Sequence, residues 1–218
     1  IIVLFMKFKV AFLFDKNNDW IFNFYNKYKL YLDNFLIFDF FDYKEIVDFD
    51  IVFIIGYTRI LPNQFLQKNR LNLVVHESDL PKGKGFSPIQ WQLLEGKSEI
   101  KITLIEATSK VDSGDIFLQK NLVFKGTELY EEIREIQAKG TFSIIYEFLE
   151  NYPNIKQKKQ VGAESFYPRR TKDDGELDIS KTIEENFNLM RIGNNQSWPS
   201  FFYYKGNKFI INIFKENP

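Results

Sequence analysis

Ile51–Gly56 reads IVFIIG, an unbroken apolar run rich in β-branched residues and closed by a glycine. A run of this length and kind marks a strand buried on both faces, as in a parallel sheet. Three more runs share the pattern: Lys9–Phe14 (KVAFLF), Phe35–Phe41 (FLIFDFF) and Leu71–His76 (LNLVVH). Between the first two, Asn18–Tyr31 carries aromatic and apolar residues at mixed helical spacing. Strands separated by helices imply a parallel sheet with right-handed crossovers, and so an α/β fold.

After the fourth run comes a loop, Glu77–Phe86, with one proline and two glycines. Ser87–Leu94 (SPIQWQLL) then predicts a helix, with Ser87 as N-cap and Pro88 at the first helical position. Ile102–Ile105 and Ile116–Leu118 are two more short strands. Thr127–Leu149 is the longest helical pattern. Thr127 suits its N-cap, and Glu128, Glu131 and Glu132 suit the positive helix end. Apolar residues recur along it at Ile133, Ile136, Ile144, Ile145, Phe148 and Leu149. Asn151–Gln160 is a polar connection. Beyond it lie a charged loop, Phe166–Asp178, a short amphipathic helix, Ile183–Met190, and a hairpin of Phe201–Tyr204 and Lys208–Phe214 turning at Lys205–Asn207. Residues 6–150 are expected to form the main α/β unit and residues 151–218 a small C-terminal α+β appendage.

The composition narrows the chemistry. The 218 residues include no cysteine and one histidine. That excludes a disulfide framework, a thiolate nucleophile and cysteine-based metal sites, and also His₂ and His₃ metal sites within one chain. Lys plus Arg equals Asp plus Glu at 29 each, and such a balance disfavours a general nucleic-acid binder. The aromatic share of 17% reads as core filler from a biased codon usage. No stretch approaches a membrane span. Met6 reads as the start, and a cytoplasmic protein without metal follows as the expectation.

In open parallel sheets, ligands sit beyond the carboxyl ends of the strands. His76 ends the fourth strand, and the loop after it holds Pro81, Lys82, Gly83, Lys84 and Gly85. A lone histidine is more often a satisfied structural residue than a functional one, and its place at a strand end weakens that reading without removing it. Val111–Ile116 (VDSGDI) brings Asp112 and Asp115 into a loop between two short strands. Such a loop is either a tight turn with Asx hydrogen bonds or a carboxylate that orients an imidazole and accepts a proton.

The stretch HESDLPKGKGFSPIQWQLLEG (His76–Gly96) followed by KITLIEATSKVDSGDIFLQ (Lys101–Gln119) resembles the formyltransferases that use 10-formyltetrahydrofolate. IGYTRILP (Ile55–Pro62) is similar to that family's folate-binding segment. The resemblance implies a Rossmann-like formyltransferase fold with a mostly parallel sheet. It makes His76 and Asp112 the catalytic pair, and Tyr57, Arg59, Ile60, Leu61 and Asp112 the contacts to the folate. The family's third catalytic residue is an asparagine two residues before the histidine. Val74 stands there, and Asn72, two residues further back on the same strand face, is the nearest candidate for its role. The absence of GxxxxGK[ST] fits a donor that is already activated.

YPRRTKDDGELD (Tyr167–Asp178), NLMR (Asn188–Arg191) and the aromatic hairpin resemble the nucleotide-sugar N-formyltransferases, closest to those of pseudaminic-acid-type pathways. The implied partners are folate and a UDP-linked 4-amino-4,6-dideoxy sugar, with no membrane or nucleic acid, and with room for a homodimer. Lys82 and Lys84, or Arg169 and Arg170, are candidates for the pyrophosphate. Gly83, Gly85 and Ser87 would let the loop approach the ligand, and Tyr167 or Trp198 would stack on the uracil. Alternatives are a non-catalytic binding homologue, and formyl transfer to methionyl-tRNA or glycinamide ribonucleotide.

Overall fold

The computed structural model describes residues 8–18, 20–32 and 34–216, with backbone alone at Leu30 and Tyr31. The expectations for Met6 and the five residues before it lie outside these, as does Asp19 within the first predicted helix. In chain order the elements are β1 (Lys9–Phe14), α1 (Trp20–Tyr28), β2 (Leu36–Phe40), β3 (Ile51–Ile55), α2 (Asn63–Leu66), β4 (Asn72–His76), β5 (Lys84–Gly85) and α3 (Pro88–Leu94). There follow β6 (Glu99–Glu106), β7 (Ile116–Val123), α4 (Tyr130–Asn151), β8 (Phe166–Tyr167), α5 (Ile183–Arg191), β9 (Ser200–Tyr204) and β10 (Asn207–Ile211).

The main sheet has the order β2-β1-β3-β4-β6-β7. β1 to β4 are parallel, whereas β6 runs antiparallel to β4 and β7 antiparallel to β6. The all-apolar runs are the parallel strands because both of their faces are covered. In β1, Val10, Phe12 and Phe14 face one core cluster with α1, α3 and α4, while Ala11 and Leu13 face a second with α2 and Ile46. β6 and β7 are longer than their apolar centres suggest. Their polar ends are held by the ladder and by cross-strand pairs such as Asn121 Nδ2 donating to Glu99 Oε1 at 3.1 Å. Gly140 lets α4 lie close on β7, where a Cβ would meet Leu122 at 2.3 Å.

Three local expectations change. Ser87 precedes α3, but its backbone is left-handed (φ 51°) and its side chain caps nothing, so Pro88 alone fixes the helix start. α4 begins after Leu129, whose N–H donates to Glu132 at 2.8 Å, and not after Thr127. The hairpin turns through two residues, Lys205 and Gly206, both at positive φ, which matches the strand twist.

The region after residue 150 docks back on the main unit. β8 pairs with β5, Ile192 joins the large core cluster, and Arg191 reaches Glu128 at 3.5 Å with both side chains buried. Among the described residues no helix is long and apolar enough to cross a membrane.

Candidate active site

A cleft of about 680 Å³ opens at the carboxyl ends of β1, β3 and β4. Gly56–Leu61 form one wall, and His76 and Asp112 meet at its floor. Nδ1 of His76 lies 3.5 Å from Asp112 Oδ1, and both side chains are nearly buried. Nε2 lies 2.8 Å from the Gly83 carbonyl. Each ring nitrogen therefore faces an oxygen acceptor, and only a doubly protonated ring donates to both. The strand fixes His76 through its register with Thr103 on β6.

Asp112 is held by separate segments. Its Oδ2 accepts the Gly85 N–H at 2.9 Å, and Gln160 Nε2 donates to the carbonyls of Asp112 and Gly114 at 2.9 Å each. Its φ is 49°, a left-handed conformation that aspartate tolerates where neighbours fix it. Gly114 is needed beside it, because a Cβ there would stand 1.8 Å from the Glu106 carbonyl oxygen.

Lys84 sits between these two supports. Its side chain is 1% exposed, and Nζ donates to Glu164 at 2.6 Å and to Ser113 at 3.2 Å. Its two chain neighbours supply the Gly83 carbonyl to His76 and the Gly85 N–H to Asp112. Lys84 is thus a strut beneath His76 and Asp112, not a free cation for a pyrophosphate, which corrects the expectation. The missing side chains of Gly83 and Gly85 make space for chain: a Cβ would meet the Tyr167 ring at 2.8 Å in one case and the Tyr167 carbonyl at 2.4 Å in the other.

Of the remaining candidates, Tyr57, Arg59, Ile60, Leu61, Gly85, Ser87, Arg169, Arg170 and Trp198 line the cleft. Lys82 is exposed but is not among the lining residues. Tyr167 turns away, donating to Glu95 at 2.8 Å and stacking on Trp91. Burial and the Glu95 carboxylate push its hydroxyl well above the ordinary tyrosine range. Asn72 is buried, donates to the Leu66 carbonyl at 2.8 Å and does not line the cleft, so the structure does not bring it to His76. Val74 fills the position two residues before the histidine and packs among Leu80, Ile105 and Ile116.

The wall of Gly56–Leu61 is itself braced. Asp15, buried at the end of β1, accepts the Thr58 N–H and hydroxyl. Burial raises its carboxyl, but the hydrogen bonds from Thr58 and Asn17 and the charge of Arg59 outweigh it, leaving it below the ordinary range. Tyr57 Oη, Arg134 Nε and Arg170 Nη1 are buried atoms of cleft residues without a hydrogen-bond partner among the described residues. Burial raises the Tyr57 hydroxyl and lowers the Arg170 guanidinium. The unsatisfied Tyr57 hydroxyl, on the same side of the cleft as the apolar Leu61 and Val74, suits a planar ligand with a polar edge.

Glu77, Gln90, Arg134, Gln137 and Thr141 also line the cleft and were not found by sequence reasoning. A signal existed: positions 134, 137 and 141 repeat at helical spacing as a polar stripe on an otherwise core-facing helix.

Residues 39–144 match the family model described as Formyl transferase. A methionyl-tRNA formyltransferase from Francisella philomiragia is 29% identical over 168 residues, 76% of this chain and 53% of that protein. The chain spans about half the length of the curated relatives it matches. Among solved structures, HypX from Aquifex aeolicus in complex with tetrahydrofolic acid superposes with a TM-score of 0.75 at 16% identity, covering 92% of this chain and 36% of that one. A sugar N-formyltransferase from Shewanella superposes with a TM-score of 0.64 at 14% identity, covering 96% of this chain and 98% of that one. At these identities the likeness is one of fold: an α/β formyltransferase fold with a mixed, mostly parallel sheet.

Proposed function

We propose that this chain is a formyltransferase that moves a formyl group from 10-formyltetrahydrofolate to the amine of a nucleotide-linked amino sugar, with a UDP-4-amino-4,6-dideoxy sugar as the first candidate. The observation that carries formyl transfer is the His76–Asp112 pair at the floor of a strand-end cleft, inside the stretch that matches the formyl transferase model. Transfer forms a bond from the acceptor nitrogen to the formyl carbon and breaks the bond from that carbon to N10 of the folate. The acceptor nitrogen loses one proton and N10 gains one. His76 is suited to donate to the formyl oxygen as negative charge develops there, once the Gly83 carbonyl releases Nε2. Asp112 keeps the imidazolium oriented and takes the proton from the amine, directly or through water. Tyr57, Ile60 and Leu61 supply the wall for the donor.

The sugar acceptor is supported by the lower rim. Arg169, Arg170 and Trp198 come from the region after residue 150 and enter the same cleft. The Shewanella sugar N-formyltransferase superposes through that region over nearly the whole of both chains. The second reading, a tRNA acceptor, is favoured by the curated relatives, which are named methionyl-tRNA formyltransferases. Assaying UDP- and dTDP-amino sugars against methionyl-tRNA with the same formyl donor separates the two. Product from an amino-sugar nucleotide supports the proposal, and product from methionyl-tRNA alone replaces it. Binding of folate and nucleotide sugar without product from any acceptor would make the chain a non-catalytic homologue, as Val74 allows.

A further inference from the structure

The cleft straddles the end of the sheet and has two unlike sides. Tyr57, Leu61 and Val74 belong to the face packed with α2. Glu77 lies on the other side: it follows His76, and its neighbours on the alternate positions, Leu73 and Val75, face the cluster shared with α1 and α4. His76 turns toward Gly83 and Asp112, whereas Glu77 turns toward α4.

On that side the polar groups are ordered. Glu77 Oε1 accepts from Gln137 Nε2 at 2.6 Å, and Gln137 Oε1 accepts from Arg134 Nη1 at 2.8 Å. The guanidinium lies 4.3 Å from the centre of the Trp20 ring and 5.0 Å from that of Tyr130. Among the described residues no carboxylate comes within ion-pair distance of Arg134. The protein therefore lines this side with a cation held rigidly by two aromatic rings and a glutamine but not neutralised. A single amide away it places a carboxylate next in sequence to the catalytic imidazole. A guanidinium lacking its own counter-ion is a recognition group for phosphate or carboxylate, and a carboxylate is one for an ammonium.

We infer that Glu77, Gln137 and Arg134 form the acceptor subsite, and that its ligand carries an amine and an anionic phosphate a short distance apart. This rests on the formyltransferase reading, which assigns the Tyr57–Leu61 side to the donor. Glu77 holds the amine beside the formyl carbon and Arg134 holds the phosphate. Gln137 fixes the spacing between them. The arrangement selects an acceptor whose amine and phosphate lie within one small molecule, as in an amino-sugar nucleotide.

The test is calorimetric binding to the full chain with three probes: UDP, the UDP-4-amino sugar and 5-formyltetrahydrofolate. Arg134→Gln and Arg134→Lys are compared with Glu77→Gln, after circular dichroism has shown that each is folded. Arg134→Gln is expected to weaken UDP by at least about tenfold, with Arg134→Lys restoring part of it and 5-formyltetrahydrofolate unaffected. Glu77→Gln is expected to leave UDP unchanged and to remove the preference for the amino sugar over UDP. Unchanged UDP affinity in Arg134→Gln overturns the subsite, as does a loss confined to 5-formyltetrahydrofolate, which would place the folate's carboxylates at Arg134. Absence of UDP binding in the unaltered chain overturns the sugar-nucleotide reading itself and is told apart by that control.

Discussion

His76 and Asp112 meet in one site but are held by different means. His76 is the last residue of a central strand that ladders with β3 up to Val74 and with β6 through His76 itself, over a core laid down by consecutive apolar residues. Asp112 stands on a loop in a left-handed conformation. Contacts from residues 85 and 160 hold it directly, and a buried lysine ties its neighbour Ser113 to Glu164. Strand geometry is set by short-range pattern and the sheet, whereas loop geometry depends on chain that arrives from far away. The histidine half of the site should thus resist perturbation, and the aspartate half should fail when distant supports are cut.

The largest effect is expected at the loop carboxylate itself. Asp112→Asn keeps an oxygen for the Gly85 N–H but removes the charge facing His76, and turnover should fall by about 10²- to 10⁴-fold with little change in melting temperature. Thermal denaturation and steady-state kinetics check this together. An Asp112→Asn protein with ordinary turnover would reduce the aspartate to a turn residue.

Next is a support remote from both halves. Glu128→Ala leaves Arg191 buried without its partner and should cost about 3–5 kcal/mol in denaturant unfolding at pH 7. Burial alone would raise the Glu128 carboxyl. The backbone N–H groups around it and the Arg191 charge outweigh burial, so its pKa in the folded chain lies below the ordinary range. The ionised form therefore stabilises the fold above that range, and this contribution is lost as the pH falls through the lowered value. The difference between Glu128→Ala and the unaltered chain should shrink below about pH 4. A gap that persists unchanged to pH 3 would mean packing, not charge, is at stake. Turnover per folded molecule should not change.

Lys84→Met cuts one of the supports of the aspartate half. It keeps the apolar stem and removes the tie to Ser113 and Glu164. Turnover should fall by about 10- to 100-fold through misplacement of Asp112, with binding of 5-formyltetrahydrofolate retained. Glu164→Gln should move turnover in the same direction by less. Equal losses in folate binding and turnover would argue that the strut supports the whole cleft. The smallest effect is expected on the strand. Asn72→Leu alters a residue that bonds the Leu66 carbonyl and does not line the cleft, and it should leave kcat unchanged while altering stability. A collapse of kcat in a folded Asn72→Leu protein would return Asn72 to the catalytic group.

The same contrast explains what the sequence made legible. The parallel strands could be read because burial on both faces writes itself as consecutive apolar residues, as in IVFIIG. The position of His76 followed from strand ends, and the pairing with Asp112 from resemblance. Lys84 was misread because a buried lysine and a solvated one have the same letter. Its environment is made by Glu164 and Ser113, 80 and 29 residues away. The antiparallel edge was under-read for a related reason: β6 and β7 end in polar residues that only the partner strand accounts for. Arg134 and Gln137 were hidden among the polar residues of a long helix until α1 and β4 were packed against it.

We propose that His76, held by Asp112, supports formyl transfer to an amino-sugar nucleotide. The most direct test is to incubate the purified chain with 10-formyltetrahydrofolate and a UDP-4-amino-4,6-dideoxy sugar, and to follow the N-formylated product by mass spectrometry alongside His76→Ala. Product is expected from the unaltered chain, with a loss of about 10²- to 10⁴-fold in the variant. Undiminished product from a folded His76→Ala protein, or no product from any amino-sugar nucleotide, would contradict the proposal.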